Sequence, residues 1–370
     1  MTKLNDLAEL GQAIWLDFIQ RAFLASGDMQ TLIDLGVRGM TSNPSIFEKA
    51  IAGSSDYDAD LADLISSGLG VEEIYEALAI DDIQNAADLL MPVFENSSGA
   101  DGFVSLEVNP NLAHDTDGTL SDAIRLWQAV NRVNLMIKIP ATKEGLPAIQ
   151  RAIGAGLNVN VTLIFSRERY AEVIEAYLSG LEDRLAAGHP IDHVASVASF
   201  FISRLDSKID QALMNSLDIK PDTKEEVKPL LGQTAVANAK LAYQQFLSEF
   251  SSNRFEKLST KGAHVQRPLW ASTSTKNLAY SDILYIQELI GPRTVNTVPQ
   301  ETLDAFLDHG EVRITIDDGL IHAQQSISAL NNLGISLSRA TQELENEGVT
   351  AFAKSFASLL DSIAEKQGNL

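Results

Sequence analysis

The sequence predicts an α/β protein folded as a closed (β/α)8 TIM barrel with extra helices, and three observations lead there. Short runs dense in β-branched and apolar residues alternate with longer amphipathic patterns, the signature of βα units and a parallel sheet. Eight such runs can be read along the chain, the number that closes a barrel. The 370 residues, 45% of them hydrophobic, suffice for one large barrel or for two ordinary domains. The regular succession of runs is read here as a single barrel domain over residues 1–370.

Taken in order, the strand candidates are 13–18, 36–42, 103–109, 134–139, 157–163, 193–200, 267–273 and 293–298. The connection from about 44 to 102 is long and must hold several helices. TLSDAIRLWQAV after the third strand and SRERYAEVIEAYLSGLEDRL after the fifth are amphipathic helices. GAGLN (154–158) follows a helix rather than a strand, so it reads as a helix stop and not as a dinucleotide loop. DIKPDTKEEVKP (218–229), charged and punctuated by proline, reads as a loop before a long helix. A last helix near 348–366 sets Val349, Phe352, Phe356, Leu359, Leu360 and Ile363 on one face. That stripe serves either packing against the barrel or a subunit contact.

Charge and composition narrow the function. Fifty acidic against 28 basic residues leave a net charge of −22, which repels nucleic acid and anionic lipid. A phosphorylated ligand would need a small, local cationic site. There are no cysteines, which excludes a disulfide scaffold, a thiolate nucleophile and a cysteine-ligated metal, and fits an intracellular home. No signal-peptide core and no bilayer-long apolar stretch is present. His189 and His193 stand four apart, but Pro190 breaks the helix that would align them. Without an HExxH or similar set, no metal site is expected.

In a barrel strand one alternate set of residues faces the helices and the other the lumen. In VNLMIKIPA, Leu135, Ile137 and Ile139 form the apolar outer set, leaving Met136 and Lys138 inside, with Lys138 at the C-terminal end just before Pro140. In FVSLEVN, Val104, Leu106 and Val108 face out, and Ser105, Glu107 and Asn109 face in. In GLNVNVTLIF the outer set is Leu157, Val159, Val161 and Leu163, and the inner set Asn158, Asn160 and Thr162. In AIWLDF, Ile14, Leu16 and Phe18 oppose Trp15 and Asp17; Trp15 reads as core rather than as a stacking platform. The alternative, polar faces of half-exposed antiparallel strands, sits poorly with the flanking helices.

A buried lysine among carboxylates is costly unless it serves a purpose. It either forms a structural ion pair with Glu107 or Asp17, or it is a nucleophile. A free lysine amine titrates near about 10.4 and desolvation favours its neutral form, whereas nearby carboxylates favour the charged one. The neutral amine adds to a ketone, and the protonated imine is an electron sink for C–C cleavage. The two carboxylates would then move protons.

Three motifs extend this reading. GMTSNPSIF (39–47), LMIKIPATKEGLPAI (135–149) and GLNVNVTLIFS (156–166) resemble, in order, the signatures of the transaldolase family, and the likeness runs from about residue 14 to at least 305. The resemblance implies a Schiff-base enzyme of the class I aldolase type, with no metal and no organic cofactor. It would move a dihydroxyacetone unit between sugar phosphates: sedoheptulose 7-phosphate and glyceraldehyde 3-phosphate to erythrose 4-phosphate and fructose 6-phosphate, and back. It implies Lys138 as the Schiff-base lysine, Glu107 as an acid/base acting through a water held with Thr162, and Asp17 as the second proton-transfer carboxylate. It further implies Asn43, Asn160 and Ser199 around the dihydroxyacetone unit, and Arg204, Ser274 and Lys276 on the phosphate.

Shorter bacterial members have an arginine at the position of Lys276; lysine lacks the bidentate fork. The chain is similar to a longer bacterial subgroup, with an added helical stretch near 224–258. Taken alone, Asn43 before Pro44 also reads as a helix N-cap, Arg204 and Lys208 as helix-surface cations, and Ser199 as a hydroxyl satisfying backbone. Two rival functions share the fold. Fructose-6-phosphate aldolases resemble this chain with glutamine in place of Glu107 and tyrosine in place of Phe201, and release the three-carbon unit. A non-catalytic sugar-phosphate binder would not need the inward lysine and carboxylates. The expected partners are small-molecule sugar phosphates, with no nucleic acid and no membrane, acting on a monomer or homodimer in the cytoplasm.

Overall fold

A computed structural model describes residues 2–219 and 221–369. Eight parallel strands close in sequence order: β1 (Gln12–Leu16), β2 (Gly39–Thr41), β3 (Phe103–Glu107), β4 (Leu135–Pro140), β5 (Val159–Ile164), β6 (Ser196–Phe201), β7 (Arg267–Ala271) and β8 (Thr294–Val298), with β8 pairing back onto β1. Each expected strand is present, but several start late because helix stops consume their first residues. Gly36, at φ +118°, caps the helix Asp28–Leu35, and the Val37 N–H returns to the Leu32 carbonyl at 2.9 Å. Gly156, at φ +92°, caps the helix Gly145–Ala155, and the Leu157 N–H reaches Ala152 at 3.1 Å. Both are left-handed caps with the backbone bond that closes the last turn.

The alternation holds in register. Glu107 pairs with Lys138 and Lys138 with Asn160, so the three share one face. The outer positions Val104, Leu106, Leu135, Ile137 and Ile139 are buried. Two inner-or-outer assignments need correction. Asn109 lies beyond β3, where its Oδ1 accepts from the Asn111 N–H at 3.0 Å and caps a 3-10 turn, Pro110–Leu112. The register of β5 breaks between Val161 and Ile164, with Leu163 at φ +61°. That bulge takes Leu163 out of the outer set and brings it against Gly348 of the C-terminal helix.

The barrel floor is closed by Trp15, whose ring centroid lies 6.2 Å from that of Phe103 and whose Nε1 is 3.5 Å from Asp101 Oδ1. Arg267 pairs with the same carboxylate at 2.8 Å. Trp15 is fully buried core, as its apolar bulk suggests.

The connection after β2 holds the helices Pro44–Gly53, Asp58–Ser66 and Val71–Asn96. The stretch expected as a loop at 218–229 is mostly short helical turns, Pro221–Thr223, Lys224–Val227 and Lys228–Leu230, because proline is at home in a first helical position. The helices Thr234–Glu249 and Asn253–Ser259 follow. The C-terminal helix runs Leu337–Asn369, beginning well before 348. Its early turns carry partners for other helices: Glu345 meets Arg169 at 3.1 Å, and Glu343 and Glu347 meet Lys208 at 3.0 and 2.6 Å. Among these charges the buried Ala340 and Leu344 make a sparser stripe than the one from Val349 onward. Further on, Phe352, Phe356, Leu359 and Ile363 are buried, while Val349 and Leu360 are half-buried. The stripe packs on the Pro44–Gly53 helix, where Ser45 Oγ donates to Ser355 Oγ at 2.8 Å. Among the described residues no helix is long and apolar enough to cross a membrane.

Gly39 sits against Trp15 so closely that an added Cβ would lie 2.6 Å from the indole. Gly39→Ala should therefore cost about 1–3 kcal/mol through overpacking. The check is a lower urea midpoint with an unchanged slope.

Candidate active site

A cavity of about 310 Å³ opens at the C-terminal end of the strands, the end where barrel loops build sites. It is lined by Asp17, Asn43, Lys138, Thr162, Ser199, Arg204, Ser274 and Lys276, among others. Of the ten catalytic and binding residues expected from sequence, Glu107 and Asn160 are not on its wall; they flank Lys138 in register on β3 and β5, and Glu107 faces a neighbouring cavity with Tyr75 and Phe356.

Lys138 is 5% exposed. Its Nζ donates to the Ser42 carbonyl at 3.1 Å and stands 3.8 Å from Glu107 Oε2, close enough for charge attraction but too far for a hydrogen bond. The Phe352 ring centroid is 5.8 Å away. Burial pushes the Glu107 carboxyl up to about 7; the Lys138 ammonium opposes that shift and the negative Asp17 adds to it. Glu107 Oε2 and Thr162 Oγ1 are both buried and bond to no protein group, a pattern that asks for an explanation at each atom.

Asp17 follows β1, and its backbone N–H donates to the Val298 carbonyl at 2.8 Å. Thr41 Oγ1 lies 2.7 Å from both Asp17 Oδ1 and Thr297 Oγ1, tying three strands together behind the carboxylate. Asn160 Oδ1 accepts from Ser199 Oγ at 2.7 Å, and its Nδ2 donates to Ser105 Oγ at 3.0 Å, so the amide is locked. Asn43 both lines the cavity and caps the Pro44–Gly53 helix, accepting from the Ile46 N–H at 3.0 Å.

The outer wall is cationic. Arg204 opens the helix Ser203–Ile219, with Cζ 5.5 Å from the Phe201 centroid. Burial pulls its guanidinium pKa down, and Asp17 and Glu347 pull the other way. Lys276 Nζ donates to Ser274 Oγ at 2.6 Å. Its ammonium is held below its usual range by burial first, then by the positive charges of Arg204 and Lys49.

A family model described as Transaldolase/Fructose-6-phosphate aldolase matches residues 14–363. The chain belongs to this family. It is 48% identical over 370 residues to a transaldolase of Trichodesmium erythraeum (strain IMS101), covering 98% of this chain and 97% of that one. It is likewise 48% identical over 365 residues to a transaldolase of Thermobifida fusca (strain YX), covering 98% of each. A "Transaldolase 2" of Nostoc punctiforme (strain ATCC 29133 / PCC 73102) is 46% identical over 371 residues, with 98% and 97% covered.

As a member of this family the chain has wall residues that sequence reasoning passed over. Lys49 projects from the Pro44–Gly53 helix on the same side as Ser45 and Ile46. The i, i+3 and i, i+4 spacing was the available signal, usable only once that helix is known to edge the mouth. Thr41 and Phe352 were visible only as a strand hydroxyl and as one member of a packing stripe. Lys49, Arg204 and Lys276 line the cavity and form no ion pair among the described residues. Lys208, by contrast, is committed to Glu343 and Glu347.

The raised Glu107 pKa has a thermodynamic consequence. Folding disfavours its carboxylate, so the wild type loses stability as pH rises from the ordinary value of 4.5 through about 7. Glu107→Gln stays neutral throughout. It should be more stable than wild type above pH 7, with the gap closing below about pH 4.5, as read by thermal melts across that range.

Proposed function

We propose that this chain is a transaldolase that carries a dihydroxyacetone unit between sugar phosphates as an imine on Lys138. The observation that carries this reading is the buried Lys138 amine beside Glu107, opening onto a cavity whose far wall holds three unpaired cations. A phosphate at that wall orients a ketose so that its carbonyl lies toward Lys138.

The free-base amine of Lys138 adds to the C2 carbonyl of the donor, fructose 6-phosphate or sedoheptulose 7-phosphate. Glu107, with a water shared with Thr162, delivers the proton that lets the carbinolamine oxygen leave as water. A carboxyl near 7 suits both giving and taking that proton. Asp17 then takes the C4 hydroxyl proton while the C3–C4 bond breaks, and its electron pair flows into the imine to give the enamine. The aldose phosphate leaves. An acceptor aldehyde phosphate binds at the same cations, the enamine carbon attacks its carbonyl, and Asp17 returns the proton. Hydrolysis of the new imine frees Lys138. Asn43, Asn160 and Ser199 hold the three-carbon unit, and Arg204, Ser274 and Lys276 hold whichever phosphate is present. Glutamate at 107 and phenylalanine at 201 favour transfer over release. Sugar phosphates are charged and do not cross a bilayer unaided, which suits work in the cytoplasm, by a monomer or a homodimer.

Two measurements test this. Borohydride reduction with fructose 6-phosphate should leave a dihydroxyacetone-derived mass on the peptide containing Lys138, and Lys138→Arg should lose turnover by on the order of 10³-fold or more with its fold intact. Activity near wild type in that variant sinks the assignment. Fructose 6-phosphate supplied without an acceptor should be cleaved slowly; rapid cleavage identifies an aldolase instead.

A further inference from the structure

The inserted stretch between the Ser203–Ile219 helix and β7 has no place in the chemistry above, yet it meets the phosphate wall through two carboxylates. Asp206 and Asp210 stand one turn apart on the helix that carries Arg204 in its first turn. Asp206 Oδ1 accepts from the Ala235 N–H at 2.7 Å, and its Oδ2 accepts from the Tyr285 hydroxyl at 3.0 Å. Asp210 repeats the arrangement: Oδ1 accepts from the Gly232 N–H at 3.0 Å and Oδ2 from the Tyr280 hydroxyl at 2.7 Å. Each carboxylate thus joins the turn of the insert at 232–235 to a tyrosine from the segment after β7.

That segment carries Ser274 and Lys276. Its root is fixed on the barrel, where the Ser203 N–H donates to the Ser272 carbonyl at 3.0 Å and Thr273 Oγ1 reaches Asn296 Oδ1 at 2.9 Å. Beyond the root it runs over the surface, with Leu278 fully exposed. The Tyr280 hydroxyl on Asp210 is where it returns to the Arg204 helix. Gly232, at φ +69°, lies under the Tyr280 ring, and a Cβ there would sit 2.8 Å from Cζ. The insert therefore supplies both a hydrogen bond to Asp210 and a floor beneath Tyr280.

We propose that Asp210 and Tyr280 form a latch that fixes the Ser274–Lys276 segment at the separation from Arg204 that a phosphate requires, with the inserted turn at Gly232 holding the carboxylate in place. These are positioning residues; neither lines the cavity. The inference rests on the assignment of Arg204, Ser274 and Lys276 to the phosphate. Lys276 needs such support more than an arginine would, because a flexible point charge has no fork to set its own geometry.

The test is Tyr280→Phe, which removes one hydroxyl and leaves the ring on Gly232. KM for fructose 6-phosphate should rise about tenfold, the scale of one hydrogen bond to a charged group, with kcat within about twofold. Inorganic phosphate, titrated calorimetrically or as a competitive inhibitor, should bind about tenfold more weakly. Borohydride trapping with unphosphorylated dihydroxyacetone should match wild type. Asp210→Asn, which keeps an acceptor, should fall between the two. Unchanged phosphate affinity in Tyr280→Phe overturns the latch, as does an equal loss with dihydroxyacetone trapping, which marks general destabilisation. The two readings part cleanly. If wild type traps no ketose while Tyr280→Phe still weakens phosphate binding, the Schiff-base function fails and the latch stands. If trapping proceeds and phosphate affinity is unmoved, the latch alone fails.

Discussion

The constraint behind this structure is the alternation of side chains in a closed sheet. Once eight parallel strands close, every second residue points into a lumen without bulk water, and a polar group there must find its partners among the other strands. At the floor Trp15, Arg267 and Asp101 engage one another and close the end, while Gln12 Oε1, Asn134 Oδ1 and Gln266 Oε1 bond to no protein group. At the mouth, too, polar groups are left partly unspent. Lys138 donates to one carbonyl, Glu107 Oε2 and Thr162 Oγ1 have no hydrogen-bond partner in the protein, and burial pushes the Glu107 carboxyl up. What sets the mouth apart is that a buried amine stands beside a buried carboxyl there and opens onto a cavity.

The same alternation explains what could be read from sequence. A period of two is visible in seven residues, so Lys138, Glu107, Asn160 and Asp17 could be placed inside from single strands. It fails where the backbone departs from the period. The bulge at Leu163 depends on pairing with β6 and on the passing C-terminal helix, and neither leaves a mark in GLNVNVTLIF. Strand starts were misjudged where a glycine cap takes the next apolar residue for itself, as with Val37 and Leu157. Lys49 and the first turns of the C-terminal helix share another cause. Their roles come from which elements meet at the mouth, and a charged residue on a helix looks alike whether it faces solvent, a glutamate of another helix or a substrate.

Electrostatics turn this geometry into selectivity. A chain with a net charge of −22 presents a repulsive field to any phosphate at a distance. Most of the arginines that face acidic neighbours are absorbed by them, as Arg254 is by Glu175 and Glu182. The wall of the cavity departs from that pattern: burial first, and then the positive charges of Arg204 and Lys49, hold the Lys276 ammonium below its usual range. Cations held against mutual repulsion gain most from an anion placed between them.

Transfer, as distinct from cleavage, asks the enamine to outlive the departure of the first aldose. Protonation of the enamine carbon ends that life, and it needs a donor within reach. Glu107 stands across from Lys138 in register and is not on the wall of the cavity that the amine lines. Phe352 brings an aromatic face from the C-terminal helix to the cavity wall, its centroid 5.8 Å from Lys138 Nζ. The long helix whose stripe reads as packing thus also lines the cavity. Its charged early turns tie it to the barrel's outer helices, through the bridges from Glu343 and Glu347 to Lys208 and from Glu345 to Arg169.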